Sequence, residues 1–591
     1  MDNRQELDTT DEKNFFLTQV KKNPRFLWQH LHALTSVILD QYKAKYLTRL
    51  RGKHLSTKKP LPWLKEVKGA NRSNCQTLTD VLKRIPQRKL TDIPFRESPQ
   101  STLFIQTQHP DLEDYLAKHR WGILLDNMLS QAAPALPQDI LRAMEFNFSK
   151  QDPALETYSV CERVANVLLW SASLTDAQRL HLPECLLTFL QQSLQWILKH
   201  LEFYGKKTGN HILNNARVLL MAGTVLNNRA AVETGWLILK NMLPVLIQKN
   251  GFLRERSSHY QLLVFGWLLD ARAFMLGSDF YPRMNIDFLE HTIINMRYAT
   301  GLLCDAEGYL LTLIGDVSPD FSPFKTSQRL ARCYPETWPL DAPQVKTTLL
   351  RDDWGFLQTG QDKIILNCPA GDYPKTFSSH AHNDITGFVW LHDNKEILID
   401  CGRARYTKDP VSSRQKSALG HSVAFVNGFA PLSESLVING NWWPTPYASA
   451  TVACELSAEN TIAITHDGFK RATPVNEQVR KITLLNSQLQ VNDLFRGQGD
   501  VLLELRWQLN PGFQVFNSET SCVINGDHQL EIDLSAMRNK PQLDFIPADA
   551  KRSRYSCEYG HAVGNPFILM RWQVKLPFTS HIVFRVKSCV G

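Results

Sequence analysis

The sequence predicts an α+β multidomain chain in which an N-terminal helical domain, of the α/α toroid kind, is followed by a C-terminal antiparallel β-sandwich. Three observations carry this. From about residue 13 to about 335 the apolar residues recur at helical spacing, as in ECLLTFLQQSLQWILKHL, HILNNARVLLMAGTVL and SSHYQLLVFGWLLDARAFML. Past the proline-containing stretch CYPETWPLDAPQ the period shortens to two, in KIILNC, EILIDCG, TIAITHDGF, QLQVNDLF and ILMRWQVKLPF. Helices first and strands afterwards segregate into separate layers rather than alternating. At 591 residues the chain also exceeds what one hydrophobic core holds, so more than one domain is expected.

In chain order, the start MDNRQELDTTDEKNFF is acidic and polar where a secretory signal is basic and then apolar, so a cytoplasmic location is expected. No stretch approaches the roughly 18 apolar residues of a membrane-spanning helix. Residues 1–60 read as a basic helical segment with seven Lys or Arg between Lys43 and Lys59. That suits peripheral contact with the inner membrane surface or an anionic polysaccharide, although a solvated basic face is the plainer account. Residues 61–340 form the helical domain, whose paired helices of similar length suit a toroid, and residues 341–591 the β-sandwich. Lys plus Arg number 66 against 58 Asp plus Glu, a net charge of +8 that favours a polyanion but is too small for dedicated nucleic-acid binding. The eleven cysteines form no C-x-x-C pair and read as reduced, buried thiols.

Polar residues concentrate at a few places. In KTGNHILNNARVLLMAG, Asn210 and Asn214 stand four apart on a helix, as do His211 and Asn215. Asn210 taken alone is a helix cap. NGFLRERSSHYQLL places Glu255, Ser257 and Tyr260 at a loop-to-helix junction, where a lone tyrosine is ordinarily packing. In FSSHAHNDITGFVWLHDNKEILIDCGRARY, an extended backbone would turn His380, His382 and Asp384 to one side, with Asp400 on the next strand and Arg414 and His421 beyond. Two histidines and an aspartate on adjacent strands suffice for a three-ligand zinc site, and singly each histidine reads as a hydrogen-bonded core residue. Trp442 and Trp443 in NGNWWPTPY suit stacking on sugar rings, and packing at the sheet edge equally.

In order, G-N-H on a helix, G-x-x-x-E-x-S-x-x-Y, H-x-H-N-D before a strand, D-x-G, and Arg followed by H-S resemble the heparinase II/III superfamily of polysaccharide lyases, and specifically members associated with bacterial surface-polysaccharide loci. The resemblance spans roughly residues 150–591. It implies the α/α toroid and β-sandwich with an active site between them, and β-elimination at a uronic acid of an anionic glycan. By the same resemblance Asn210 and His211 neutralise the substrate carboxylate, while Tyr260 and His380 share the base and acid roles according to the C5 epimer. A basic tyrosine would need a nearby cation, for which Arg254, Arg256 or a histidine is available. Glu255, Arg414, Trp442 and Trp443 are expected at the substrate. His382, Asp400 and His421 match the ligands of a structural zinc that would hold the His380 loop. A hydrolase on this scaffold would need a carboxylate pair across the cleft, which the motifs do not supply. A non-catalytic factor in surface-polysaccharide metabolism would not need all four catalytic positions.

Overall fold

In the computed structural model, residues 77–86, 112–130, 136–145, 153–204, 208–280, 286–305, 308, 311–338, 340, 348–373, 380–406, 409–432, 435–438, 441–444, 450–518, 521–524, 528–549 and 552–588 are described, with positions 18 and 21. The basic stretch 43–59 lies outside them, as do the side chains of Trp442 and Trp443, whose strand pairs with Ser435–Ile438. Among the described residues no helix is long and apolar enough to cross a membrane.

The helical region has five long helices central to the site: Thr157–Ser173, Cys185–Lys199, His211–Val225, Arg229–Leu246 and Ser258–Leu276. Two of them, Thr157–Ser173 and Ser258–Leu276, are buried along nearly their whole length. A helix apolar on all sides belongs in the middle of its domain. The polar residues such a helix does carry must find partners inside. Asn214 donates to Glu162 (2.8 Å), and Arg217 bridges Glu162 and Asp270 (both 2.9 Å).

Among the described residues the strand region builds two large antiparallel sheets and two small two-stranded ones. Of the large pair, the smaller runs in chain order through Thr348–Arg351, Trp354–Thr359, Asp362–Asn367, Val389–His392 and Lys395–Leu398. The larger is centred on the long pair Gln488–Gln508 and Phe567–Ser588. Leu357, Ile364 and Trp390 of the smaller sheet share one apolar core with Ile482, Val491 and Ile568 of the larger. A second apolar cluster joins the halves of the chain, with Phe252 and Leu302 of the helical region packed on Trp354, Phe356 and Val389. Phe252 stacks on Trp354 with ring centroids 5.6 Å apart. This contact sets where the helical loops meet the strand loops.

One expectation is corrected. The backbone at His380–Asp384 is loop, and regular strand begins only at Val389. His380 and His382 still face a common partner, but Asp384 turns away to accept from Asn367 (2.8 Å).

Candidate active site

Asn210 occupies the N-cap of the helix His211–Val225 yet makes no side-chain cap bond. Its backbone N–H and its amide N–H instead donate to the two oxygens of Glu255, at 2.8 and 2.7 Å. Asn210 is 1 % exposed, and its Oδ1 has no hydrogen-bond partner among the described residues. Glu255 is therefore the residue that aims Asn210. The loop carrying Glu255 is pinned by Gln261, which accepts from Leu253 N–H (2.6 Å) and donates to the Gly251 carbonyl (2.9 Å).

His211 Nδ1 lies 2.9 Å from Glu202, which also accepts from Asn215 (2.9 Å). The paired spacing of His211 and Asn215 thus serves one carboxylate. Burial lowers the affinity of His211 for its proton, but the Glu202 charge and hydrogen bond outweigh it and push the pKa up to about 9. The imidazole is a cation at neutral pH.

Tyr260 starts the helix Ser258–Leu276, whose cap Ser257 accepts from the Tyr260 N–H (3.2 Å) and donates to the Asp316 carbonyl (2.8 Å). The Tyr260 ring stacks on His380, centroids 3.6 Å apart and planes within 15°. Its hydroxyl meets that of Tyr406 at 2.7 Å, and Tyr406 donates its own proton to the Val317 carbonyl (2.8 Å). Tyr260 is then the donor in the pair. Burial holds its pKa well above the usual phenol range, with Asp320 and Asp316 acting in the same direction. The expectation that Arg254 or Arg256 lowers it is not met: Arg254 is engaged with the Thr208 carbonyl, and burial with nearby carboxylates decides the direction.

Asp316 ties the halves together. Its Oδ2 lies 3.2 Å from His380 Nδ1 and 3.2 Å from Arg403, and its Oδ1 lies 2.8 Å from His382 Nε2. An ionised carboxylate only accepts, so His380 carries its proton on Nδ1 and presents Nε2, which lies 3.6 Å from Glu255. Asp316 is held well below the ordinary carboxylate range despite its burial, through Arg403 and the two histidines. The approach depends on Gly315, at φ +79°, where a Cβ would stand 2.8 Å from the His380 carbonyl.

His382, Asp400 and His421 come together, each offering a ligand atom within 4.8 Å of the others. Asp400 lies 3.4 Å from His382 Nδ1 and 3.7 Å from His421 Nδ1, and it accepts from the N–H groups of Gly315 (3.0 Å) and Gly402 (2.8 Å). His421 Nε2 is buried without a hydrogen-bond partner among the described residues, and burial lowers the pKa of the ring, favouring the neutral form that a metal ligand requires. The donor atoms are of the kinds that hold a metal ion, but burial is outweighed at His382 by Asp400 and Asp316, which push its pKa up to about 10, so a metal would have to displace a proton from that ring. Glu156, Glu202 and His211 form a second such group, but Arg120 stands 3.4 Å from Glu156.

Arg414 joins neither cluster; its charged neighbour is Arg506, and burial lowers its pKa to about 10. Arg403 supplies the cation at the centre. Asp316, Tyr406 and Arg403 escape sequence reading, since Asp316 sits in the loop IGDVSPD and Tyr406 ends DCGRARY without a spacing that marks them. The cysteines are unpaired and mostly buried among the described residues, with Cys557 exposed.

A helical region and antiparallel sheets meet at a buried cluster of Asp316, His380 and Tyr260, a set of groups that can exchange protons. Residues 344–564 match the family described as Heparinase II/III-like, C-terminal. No curated protein sequence matches the chain. The fold is similar to a crystal structure of heparinase III, at 12% identity and TM-score 0.59, covering 95% of this chain and 91% of that one. It is similar also to a heparan sulfate lyase HepC mutant from Pedobacter heparinus, at 14% identity and TM-score 0.52, covering 89% and 87%. The family match is thus confined to the strand region, while the likeness of fold to heparinase III and the heparan sulfate lyase extends over nearly the whole chain.

Proposed function

We propose that the protein is a polysaccharide lyase that cleaves a uronic-acid-containing glycan by β-elimination, and that its helical and strand regions close as an α/α toroid and a β-sandwich around the substrate. The observation that carries this is the stacked Tyr260–His380 pair, contributed by the two halves of the chain and flanked by Asn210. The names of the similar solved structures, heparinase III and heparan sulfate lyase, support it.

Abstraction of the C5 proton requires the C6 carboxylate to be neutralised first, because the developing charge spreads onto it. The His211 imidazolium and the second amide hydrogen of Asn210 supply donors for that carboxylate, and the unpartnered Asn210 Oδ1 accepts from a sugar hydroxyl. His380 is the base: Asp316 fixes its Nδ1–H, leaving the Nε2 lone pair to take H5. Tyr260 is the acid. A phenol kept protonated by burial gives its proton to the O4 leaving group, and Tyr406 would support the oxygen left behind by turning its own hydroxyl proton from the Val317 carbonyl to Tyr260. New ultraviolet absorbance from a 4,5-unsaturated product, in a screen of uronate glycans, tests the reading; cleavage that gives new reducing ends without that absorbance overturns it.

His211 sets a pH limit. A group whose folded pKa is raised contributes fully below its unfolded value of about 6.5 and fades as pH rises through the folded one. Carboxylate neutralisation is thus expected to weaken as pH approaches about 9. In pH profiles of kcat/KM, His211→Gln should remove this alkaline limb and lower the plateau.

His382, Asp400 and His421 would hold a zinc ion in a structural role, fixing the loop that carries His380. Purified protein is expected to contain about one zinc per chain, and His421→Ala to lose it together with thermal stability, since metal binding energy is folding energy. Metal analysis of the wild type without a transition metal would leave the three as a hydrogen-bonded cluster. The intracellular side of the membrane, near anionic glycan intermediates, remains the proposed compartment, and fractionation tests it.

A further inference from the structure

The segment 311–316 serves the active site with one end and a separate cleft with the other. Gly315 and Asp316 belong to the proton-transfer cluster, whereas Leu311, Thr312 and Leu313 line a cleft of about 330 Å³, completed by Phe324, Glu396, Tyr555, Cys557 and Glu558 among others. That volume is within the range of small-molecule sites.

Its walls are chemically one-sided. Glu396 and Glu558 both face the cleft, and neither has a cationic partner among the described residues. The Tyr555 hydroxyl donates to Glu396 (3.2 Å). Thr312 is 3 % exposed, and its hydroxyl has no hydrogen-bond partner among the described residues although the residue lines the cleft. A buried hydroxyl left unmatched costs free energy that a ligand would recover. Among the described residues the cleft's acidic groups and thiol do not converge on one point as metal ligands do. They are spread for a ligand with several polar groups, while Leu313 and Phe324 offer apolar surface to ring carbons.

We propose that this cleft is a second ligand site that takes a sugar-sized molecule carrying an ammonium group, an amino sugar with a free amine being the class that fits. The ammonium stands between Glu396 and Glu558, and a ring hydroxyl pairs with Thr312. Burial pushes the pKa of Glu396 up to about 7, so an arriving cation finds a carboxylate that it can hold ionised.

The exposed thiol of Cys557 provides a readout independent of catalysis. The full-length protein is alkylated with iodoacetamide at constant ionic strength, and labelling of the Cys557 peptide is followed by mass spectrometry with increasing glucosamine or N-acetylglucosamine. Glucosamine is expected to protect Cys557 saturably, at a concentration at least roughly tenfold lower than N-acetylglucosamine needs. The protection should weaken by a similar factor in Glu558→Gln and in the near-isosteric Thr312→Val, and persist in Tyr260→Phe. Absence of protection by glucosamine, equal protection by the two sugars, or protection unchanged in both cleft variants would overturn the proposal.

Discussion

Tyr260→Phe is expected to lower turnover on a uronate glycan by about 10²–10⁴-fold, the usual worth of a positioned proton donor. The ring stays stacked on His380, so folding and glycan binding should be close to wild type; only the hydroxyl bonded to Tyr406 is lost. The loss should therefore fall on kcat rather than KM. Because Tyr260 is assigned as the acid, a substrate whose C4 leaving group departs without a proton should restore much of the rate. A variant equally slow on both substrates would return the base role to Tyr260 and leave protonation to His380. Wild-type turnover in Tyr260→Phe would remove the residue from the chemistry altogether.

Asp316→Ala is expected to cost both activity and about 3–5 kcal/mol of stability, the range found when one partner of a buried ionic cluster is removed. Asp316 is 1 % exposed and meets His380, His382 and Arg403. Without it Arg403 loses a carboxylate partner near the centre, and His380 loses the bond that fixes its tautomer. Denaturant unfolding reads the first effect and steady-state kinetics the second. The carboxyl is depressed in the folded state, so its contribution is present above its unfolded pKa of about 4 and lost as pH falls through the folded value. Wild type should lose part of its stability advantage over Asp316→Ala in acid. An equal margin at all pH values would mean that packing, not charge, makes Asp316 important.

What could be read from the sequence followed from regular spacing. The period-two runs KIILNC and TIAITHDGF are strands Asp362–Asn367 and Thr461–His466, and the helical run HILNNARVLLMAGTVL is the helix His211–Val225. Asn210, His211, Tyr260 and His380 stood out as polar residues in ordered motifs. Asp316 and Tyr406 did not, because their positions are set by contacts across 64 and 146 residues of chain rather than by local pattern. Asp384 was misread for a related reason: alternation holds only in strand, and the loop preceding Val389 rotates it onto Asn367. Glu255 was visible as a residue, but its task of gripping both N–H groups of Asn210 needs the fold to define it.

Tyr260 and Asp316 lie outside residues 344–564, while His380, Arg403 and Tyr406 lie inside them. Under the proposed roles the acid would be made early in synthesis and the base late, with the aspartate that orients the base on the same side of the chain as the acid. On that reading a nascent or truncated polypeptide with either portion alone would be chemically silent, and activity would await the docking of the two portions. Inheritance of the C-terminal portion by another protein would transmit His380, Arg403 and Tyr406 without Tyr260 and Asp316, and so only half of the proposed proton relay.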